Sequence, residues 1–345
     1  MSTSFQAPTL EELTPLFPNY SIDAFIAQGG MGAVYLATQT SLERQAAIKI
    51  LPRELGRDEG FRKSFVAEAK AMAKLNHPHL IGVYDFGEAD GMPFIVMEYV
   101  AGSSLHRSSY GQQIEPAEAA RIVEETLRGL QHAHDYGILH RDVKPANILL
   151  EPQQASVKLG DFGLAMATGG ENNDGLIFGT PGYAAPEVYE GNPDTRSDIY
   201  AAAAILYQLI TAQLPGEVYQ HPSTISDCDR RYDTLLAKAL QPNPDDRHQS
   251  ATELADALNA LRSQPVSKFA TAAAPNTSPS FAPRPVALSS NRKTNAVPLI
   301  AAVIGLIIVG VLGYILLTQK TEEEPHSVPS ELETPRDTSK TGESE

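Results

Sequence analysis

In the stretch LHRDVKPANILL, residues 139–150, Asp142, Lys144 and Asn147 sit at short intervals between apolar neighbours. Further on, KLGDFGLA adds Asp161 just after a short apolar run. Phosphoryl transfer asks little covalent work of a protein. It needs metal ions to neutralise oxygen charge, a base to orient the attacking hydroxyl, and a cation on the moving phosphate. Magnesium takes oxygen ligands and few protein carboxylates, which Asp161 and Asn147 can supply. Asp142 can accept a hydroxyl proton, and Lys144 can steady the phosphate in flight. The apolar run after Asn147 would anchor this loop and floor a nucleotide site.

Three earlier features fit the same chemistry, although none decides it alone. AQGGMGAV, Ala27 to Val34, lies between two predicted strands. Gly29, Gly30 and Gly32 would weaken an ordinary strand pair but let backbone amides approach a phosphate unhindered. AAIK ends a strand in Lys49, a position where lysine is usually only solvated. Glu68 falls in the one helix of this region, where a carboxylate can hold the Lys49 ammonium in position.

The elements that must position these groups divide the globular region in two. Before about residue 100, short alternating strands are predicted: SIDAFIAQ, AVYLATQT, QAAIKIL, IGVYDFGEA and PFIVMEYV, interrupted by the helix EGFRKSFVAEAKAMAKL. After residue 115 the pattern is helical. PAEAARIVEETLRGLQHAHDYG has Pro near its start, Val123, Leu127 and Leu130 on one face, and Gly137 as a stop. IYAAAAILYQLI is too short to cross a bilayer and reads as a fully buried helix at the centre of a helical subdomain. The expected class is α+β, bilobal, with a small β-rich lobe, a larger helical lobe and a ligand cleft between them.

Composition bounds the rest. The chain has 345 residues and a formal charge of −15, which argues against a nucleic-acid partner. One cysteine, Cys228, excludes an internal disulfide framework. The N-terminus lacks a basic and apolar leader pattern, so no signal peptide is expected. Residues 1–19 read as an N-terminal extension and 263–296 as a disordered Pro/Ala/Ser/Thr-rich linker. Val297 to Thr318 carry no charge and, as a helix, would be roughly 30 Å long, the thickness of a hydrocarbon core. A single membrane span is expected there, followed by a short acidic tail over 319–345. Arg284, Arg292 and Lys293 before the span, and Glu322 to Glu324 after it, place the globular region on the cytoplasmic face of the cell membrane. Gly305, Gly310 and Gly313 would allow close approach of two spans in a homodimer, although none forms a GxxxG pair.

In order along the chain, the Gly-rich loop, AAIK, Glu68, HRDVKPAN, DFG, GTPGYAAPE, DIYAAA and a late arginine in PNPDDR resemble the motif series of eukaryotic-type (Hanks-type) protein Ser/Thr kinases. GGMGAVYLA is similar to the wording of the membrane-anchored bacterial members. The resemblance covers about Tyr20 to Leu261, within a domain set at 20–262. It implies ATP and magnesium, with manganese as the alternative metal, and protein substrates modified on Ser or Thr; the Ser and Thr content of the linker, near the globular region, leads one to expect autophosphorylation there. It implies that Glu98 to Val100 form a hinge whose Val100 backbone meets adenine, with Met97 as gatekeeper and Val34, Ala47 and Leu149 enclosing the base. It further implies a Glu187–Arg247 ion pair in the large lobe, and Asp198 on the backbone of the catalytic loop. Lys144 together with Gly179-Thr180 resembles Ser/Thr rather than Tyr kinases, with the Thr180 hydroxyl bridging Asp142 and Lys144. The alternative is a catalytically weak pseudokinase scaffold holding partners at the membrane. Its usual signature is loss of Lys49, Asp142 or Asp161, and all three are present.

The chain departs from this pattern in places. Ala27 replaces the first loop glycine, for which slightly weaker nucleotide binding is expected. Between Asp161 and Glu187 the only Ser/Thr residues are Thr168 and Thr180. Either Glu171 or Asp174 supplies the negative charge that Arg141 would meet, or Thr168 is phosphorylated. His77 and His79, and His132 and His134, form x-spaced pairs without matching acidic or Cys companions, so structural roles are expected rather than zinc. His140 is expected to brace the catalytic loop.

Overall fold

The computed structural model describes residues 5–29, 32–109, 111–152, 155–162, 179–216 and 218–264. All of these fall within the first of the two units into which the chain divides, Met1–Ala270. The linker from 265, the apolar run 297–318 and the acidic tail lie outside the described residues, as do Gly30 and positions 163–178. No helix among the described residues is long and apolar enough to cross a membrane.

The small lobe is a five-stranded antiparallel sheet formed by β1 (Tyr20–Gly29), β2 (Gly32–Gln39), β3 (Arg44–Ile50), β4 (Val83–Ala89) and β5 (Met92–Glu98), in spatial order β1-β2-β3-β5-β4. Side chains alternate across a pleated strand, so register decides what faces the cleft. Ala33, Tyr35 and Ala37 of β2 lie opposite Ile50, Ile48 and Ala46 of β3, while Ile48 lies opposite Val96 of β5. These residues share one buried cluster. The other parity holds Val34 opposite Lys49, Leu36 opposite Ala47, and Ala47 opposite Met97. The residues expected around a nucleotide therefore share one face.

The N-terminal segment covers the opposite face. Helix α1 (Leu10–Leu13) starts with a capping box, in which the Thr9 hydroxyl accepts from Glu12 N–H and the Glu12 carboxylate accepts from Thr9 N–H. Leu13 is fully buried and Phe17 nearly so, with the Phe17 ring edge-on to Phe94 at 4.9 Å. Each such side chain stabilises the lobe by about 1.5–3 kcal/mol. Residues read from sequence as a preceding extension thus contribute to the small lobe's core.

Two helices follow β3: α2 (Arg53–Arg57) and α3 (Glu59–Met72). The Asp58 carboxylate caps α3 by accepting from Phe61 N–H, and Phe61, Phe65, Ala69 and Met72 form its buried stripe. A second, three-stranded sheet holds β6 (Ser103–Ser104), β7 (Ile148–Glu151) and β8 (Ser156–Leu159). Helix α4 (Leu105–Ser109) lies between β6 and the large lobe's first long helix, α5 (Pro116–Asp135). Pro116 occupies its first turn and the Glu115 carboxylate caps Glu118 N–H. After α6 (Pro186–Tyr189) comes α7 (Thr195–Thr211), capped by Asp194 and closed by Ala212 at φ 59°. Its run Ala201–Ala204 is buried throughout, where small side chains let neighbouring helices approach closely. The central buried helix expected at IYAAAAILYQLI is this one. Helices α8 (Arg231–Ala239) and α9 (Ala251–Ser263) complete the lobe.

Candidate active site

The catalytic loop runs from His140 to Asn147 and is held from below by a buried carboxylate. Asp198 of α7 accepts from the backbone N–H of His140 (2.9 Å) and of Arg141 (2.8 Å), and lies 2.9 Å from His134 Nε2. Burial pushes the Asp198 carboxyl upward, but these bonds and the neighbouring imidazoles hold it below the usual carboxylate range. The expected role of Asp198 is met. His134, one of the histidines with no assigned task in the sequence, is its side-chain partner.

His140 is fully buried. Its Nδ1 accepts from Asp142 N–H at 3.2 Å, and its Nε2 lies 2.9 Å from the Gly160 carbonyl. An acceptor on one nitrogen and a carbonyl on the other fix the neutral Nε2–H tautomer. Burial lowers its pKa in the same sense. The ring packs on Phe162 with centroids 4.5 Å apart. His140 thus ties the catalytic loop to the strand end carrying Asp161, as a brace and not as an acid or base.

Above this base, three polar groups converge. The Thr180 hydroxyl donates to Asp142 Oδ1 at 2.8 Å, Lys144 Nζ lies 2.7 Å from Asp142 Oδ2, and Lys144 donates to Thr180 Oγ1 at 3.1 Å. Asn147 Nδ2 donates to the Asp142 carbonyl at 2.9 Å, and among the described residues Asn147 Oδ1 accepts no hydrogen bond. The Asn147 carbonyl accepts from Gly160 N–H at 2.9 Å, so Asn147 and Asp161 are held in fixed relation. Asp142, Lys144, Asn147 and Thr180 are together as the sequence led one to expect.

Lys49 is differently engaged. Its Nζ lies 2.8 Å from Asp161 Oδ1, and no hydrogen bond or ion pair joins it to Glu68 among the described residues. The expected Lys49–Glu68 pair is not made in this structure. Burial raises the Glu68 pKa to about 7, with the Arg141 guanidinium opposing this. Arg141 Nε is itself buried without a partner among the described residues. Burial also pushes Asp161 upward, and the Lys49 ammonium outweighs it, leaving Asp161 ionised and below its ordinary range. Arg141 and Asp161 both have positive φ, 66° and 58°. For non-glycine residues this is a strained backbone of the kind found at functional sites.

The residues expected to enclose a base are assembled together. Ala47 and Val100 are buried, Met97 lies opposite Ala47 across the β3–β5 ladder, and Leu149 pairs with Lys158 across β7–β8. Glu98 is fixed on both sides: its N–H donates to the Gly82 carbonyl at 2.8 Å, and its Oε1 lies 2.7 Å from Lys158 Nζ. Sequence reasoning did not anticipate Lys158, because β8 and the hinge are far apart in the chain. A small, mostly apolar pocket beside these residues is lined by Met72, Leu75, Ile81, Ile95, Met97 and Phe162, together with Lys49.

At the glycine-rich turn, Gly32 has φ 142°, and a Cβ there would fall 2.1 Å from the Ile50 carbonyl oxygen. Only glycine fits that approach. Gly29 pairs with Gly32, and Ala27 pairs with Val34, so the methyl at position 27 is accommodated in the ladder. Gly30 lies outside the described residues.

A buried ion pair anchors the large lobe. Glu187 and Arg247 form a two-pronged pair at 2.7 and 2.8 Å, with the Ser197 hydroxyl on Glu187 at 2.6 Å. Arg247 also donates to the carbonyls of Gln241 and Pro242, which satisfies a nearly fully buried guanidinium. His77 stacks on His132 at 5.3 Å and sits 5.4 Å from His79, yet no group of three metal-ligating side chains is placed to hold an ion among the described residues.

The model of the protein kinase domain family matches residues 20–273. The chain is 40% identical over 271 residues to the serine/threonine-protein kinase pkn3 of Myxococcus xanthus, covering 70% of this chain and 50% of that protein. It is 37% identical over 264 residues to the serine/threonine-protein kinase PknB of Mycolicibacterium smegmatis, covering 69% and 42%. The chain spans about half the length, or less, of the curated relatives it matches. Among solved structures, the PknI kinase domain of Mycobacterium tuberculosis is 32% identical with a TM-score of 0.59, covering 70% of this chain and 96% of that one. Rad53 1-466 in complex with AMP-PNP is 26% identical with a TM-score of 0.57, covering 71% and 66%.

Proposed function

The chain belongs to the protein kinase domain family, and on that premise we propose that it transfers the γ-phosphoryl group of ATP to Ser or Thr hydroxyls of proteins. The observation that carries this reading is the convergence of Asp142, Lys144 and Thr180 within hydrogen-bonding distance of one another, with the loop of Asp142 and Lys144 tied through Asn147 and His140 to Gly160, the neighbour of Asp161.

Each side chain has a task set by its chemistry. The Asp142 carboxylate offers more acceptor positions than Thr180 and Lys144 fill. A substrate hydroxyl placed there is oriented for attack and gives up its proton to Asp142. The Lys144 ammonium offsets the charge of the phosphoryl group in transit. The backbone of the Gly29–Gly32 turn and the Lys49 ammonium hold the phosphates. Val34, Ala47, Met97 and Leu149 enclose the base, with the backbone at Glu98 and Val100 reading its edge. The AMP-PNP held by the solved relative Rad53 is in keeping with a triphosphate ligand.

Asn147 and Asp161 fit a hard divalent cation. Both present oxygen: among the described residues Asn147 Oδ1 accepts no hydrogen bond, and Asp161 is kept ionised with no hydrogen bond to its Oδ2. Magnesium, or manganese in its place, supplies charge neutralisation at the phosphates when bound.

The domain is proposed to be tethered by a single span at Val297–Thr318 with its catalytic part on the cytoplasmic face, and to pair through that span as a homodimer. The uncharged run and the basic residues before it support this. Membrane fractionation tests the tether: recovery of the full-length protein in the alkaline-washed supernatant contradicts it.

The catalytic reading is tested by trace-labelled phosphate transfer with Lys49→Met and Asp161→Asn proteins. Loss of transfer in both is expected; transfer at the wild-type rate in both contradicts the roles assigned.

A further inference from the structure

We propose that the N-terminal segment is a strap that positions the phosphate-covering hairpin, with Gln28 as its positioning residue. This rests on reading the β1–β2 turn as the phosphate loop.

Two backbone carbonyls of the segment reach the two strands of that hairpin. Gln28 Nε2 of β1 donates to the Phe5 carbonyl at 2.6 Å, and Tyr35 Oη of β2 donates to the Pro8 carbonyl at 2.6 Å. Gln28 immediately precedes Gly29 and pairs with Ala33, next to Gly32. The tether therefore acts at the root of the turn.

Beyond its ladder to β2 and the edge-on contact of Phe25 with Tyr35, that end of β1 is thinly covered among the described residues. It is the edge strand of the sheet, its ladder to β2 is interrupted between Ile22 and Ala24 and between Phe25 and Ala27, and residues 23–29 are exposed along its length. Phe25 and Ile26 are 50% and 46% exposed. Bulged edge strands with few buried contacts open readily. The strap, by contrast, is fixed at its far end by Leu13, by Phe17 against Phe94, and by the Thr9–Glu12 capping box. An exposed edge hairpin tied to a rigid base loses less freedom when a ligand's phosphates settle beneath it, and that saving appears as affinity.

The family match begins at Tyr20, so the strap lies outside the matched residues.

The experiment uses the full-length protein with three variants: deletion of residues 1–7, which keeps Pro8 and the Thr9 cap; Gln28→Met, which removes the donor without adding charge; and the two combined. Each single change is expected to raise KM for ATP roughly two- to tenfold, the size of one hydrogen bond, with kcat unchanged. Because both remove the same contact, the combination should be no worse than the larger single change. Backbone amide exchange at Ala27–Val34 without nucleotide should quicken in all three. Unchanged KM and exchange, additive effects, or a fall in kcat at constant KM overturns the proposal. Should the wild type transfer no phosphate, the functional reading fails separately, and the exchange measurement alone decides the strap: quickened exchange supports it, unchanged exchange overturns it.

Discussion

Lys49 Nζ is bonded to Asp161 Oδ1 at 2.8 Å and not to Glu68. One ammonium thus neutralises a candidate metal ligand, while a half-buried carboxyl on α3 is left beside Arg141 with its pKa raised to about 7. Nucleotide and metal at Asp161 would compete for the same charge, which would free Lys49 to meet Glu68.

Glu68 gives a pH signature. Its folded pKa lies above its unfolded one, so the folded state binds the extra proton. Stability is therefore fully present below the unfolded value, near 4.5, and falls as pH rises towards about 7. Glu68→Gln should remove that decline, on the order of 2 kcal/mol across the window. Urea unfolding of both proteins between those pH values checks it; parallel curves would contradict the burial of an ionisable Glu68.

Thr180 is placed to orient both Asp142 and Lys144. Thr180→Val should lower kcat roughly 10- to 100-fold, as mispositioning of reacting groups does, with KM for ATP unchanged, whereas Thr180→Ser should keep most activity. Steady-state kinetics on a peptide substrate separate these outcomes.

Arg247→Ala should destabilise the large lobe by about 3–5 kcal/mol, because it leaves the Glu187 carboxylate buried beside Ser197 without its cation. Burial tends to raise that carboxyl and the Arg247 bonds hold it low, so the variant's loss should be smaller at acidic pH. Denaturant midpoints at two pH values check both parts.

Asp198→Asn replaces an acceptor-only carboxylate with an amide that offers a donor to three donors. A loss of roughly 1–3 kcal/mol is expected for the unsatisfied groups, together with faster amide exchange at His140 and Arg141. Unchanged exchange there would contradict its role as the loop's base.

The groups legible from the residues alone were those whose partners lie within one motif or whose parity is set by strand alternation, while Thr180, Asp198 and the Glu187–Arg247 pair were legible only through the family resemblance. Asp142, Lys144 and Asn147 share a loop, and Ala47, Lys49 and Val34 fall on one face because the β2–β3 register has a period of two. What was hidden depends on distant packing. The pairing of Lys49 turns on where α3 settles and on the backbone of Asp161 at φ 58°, neither of which a residue pattern encodes. His134 and Lys158 matter only because α7 and the hinge come to them. The strap was unreadable for another reason: α1 has four residues, too few to show a period, and its apolar side chains matter only against a sheet face formed elsewhere in the chain. The activation-segment residues Thr168, Glu171 and Asp174 lie outside the described residues.

The central claim is that Asp142 acts on the hydroxyl in the transfer step and not on nucleotide binding. Asp142→Asn should bind a fluorescent ATP analogue with wild-type affinity while phosphate transfer to protein substrate falls by at least about a hundredfold, the contribution of a positioned base. Transfer at the wild-type rate with nucleotide bound would contradict the account.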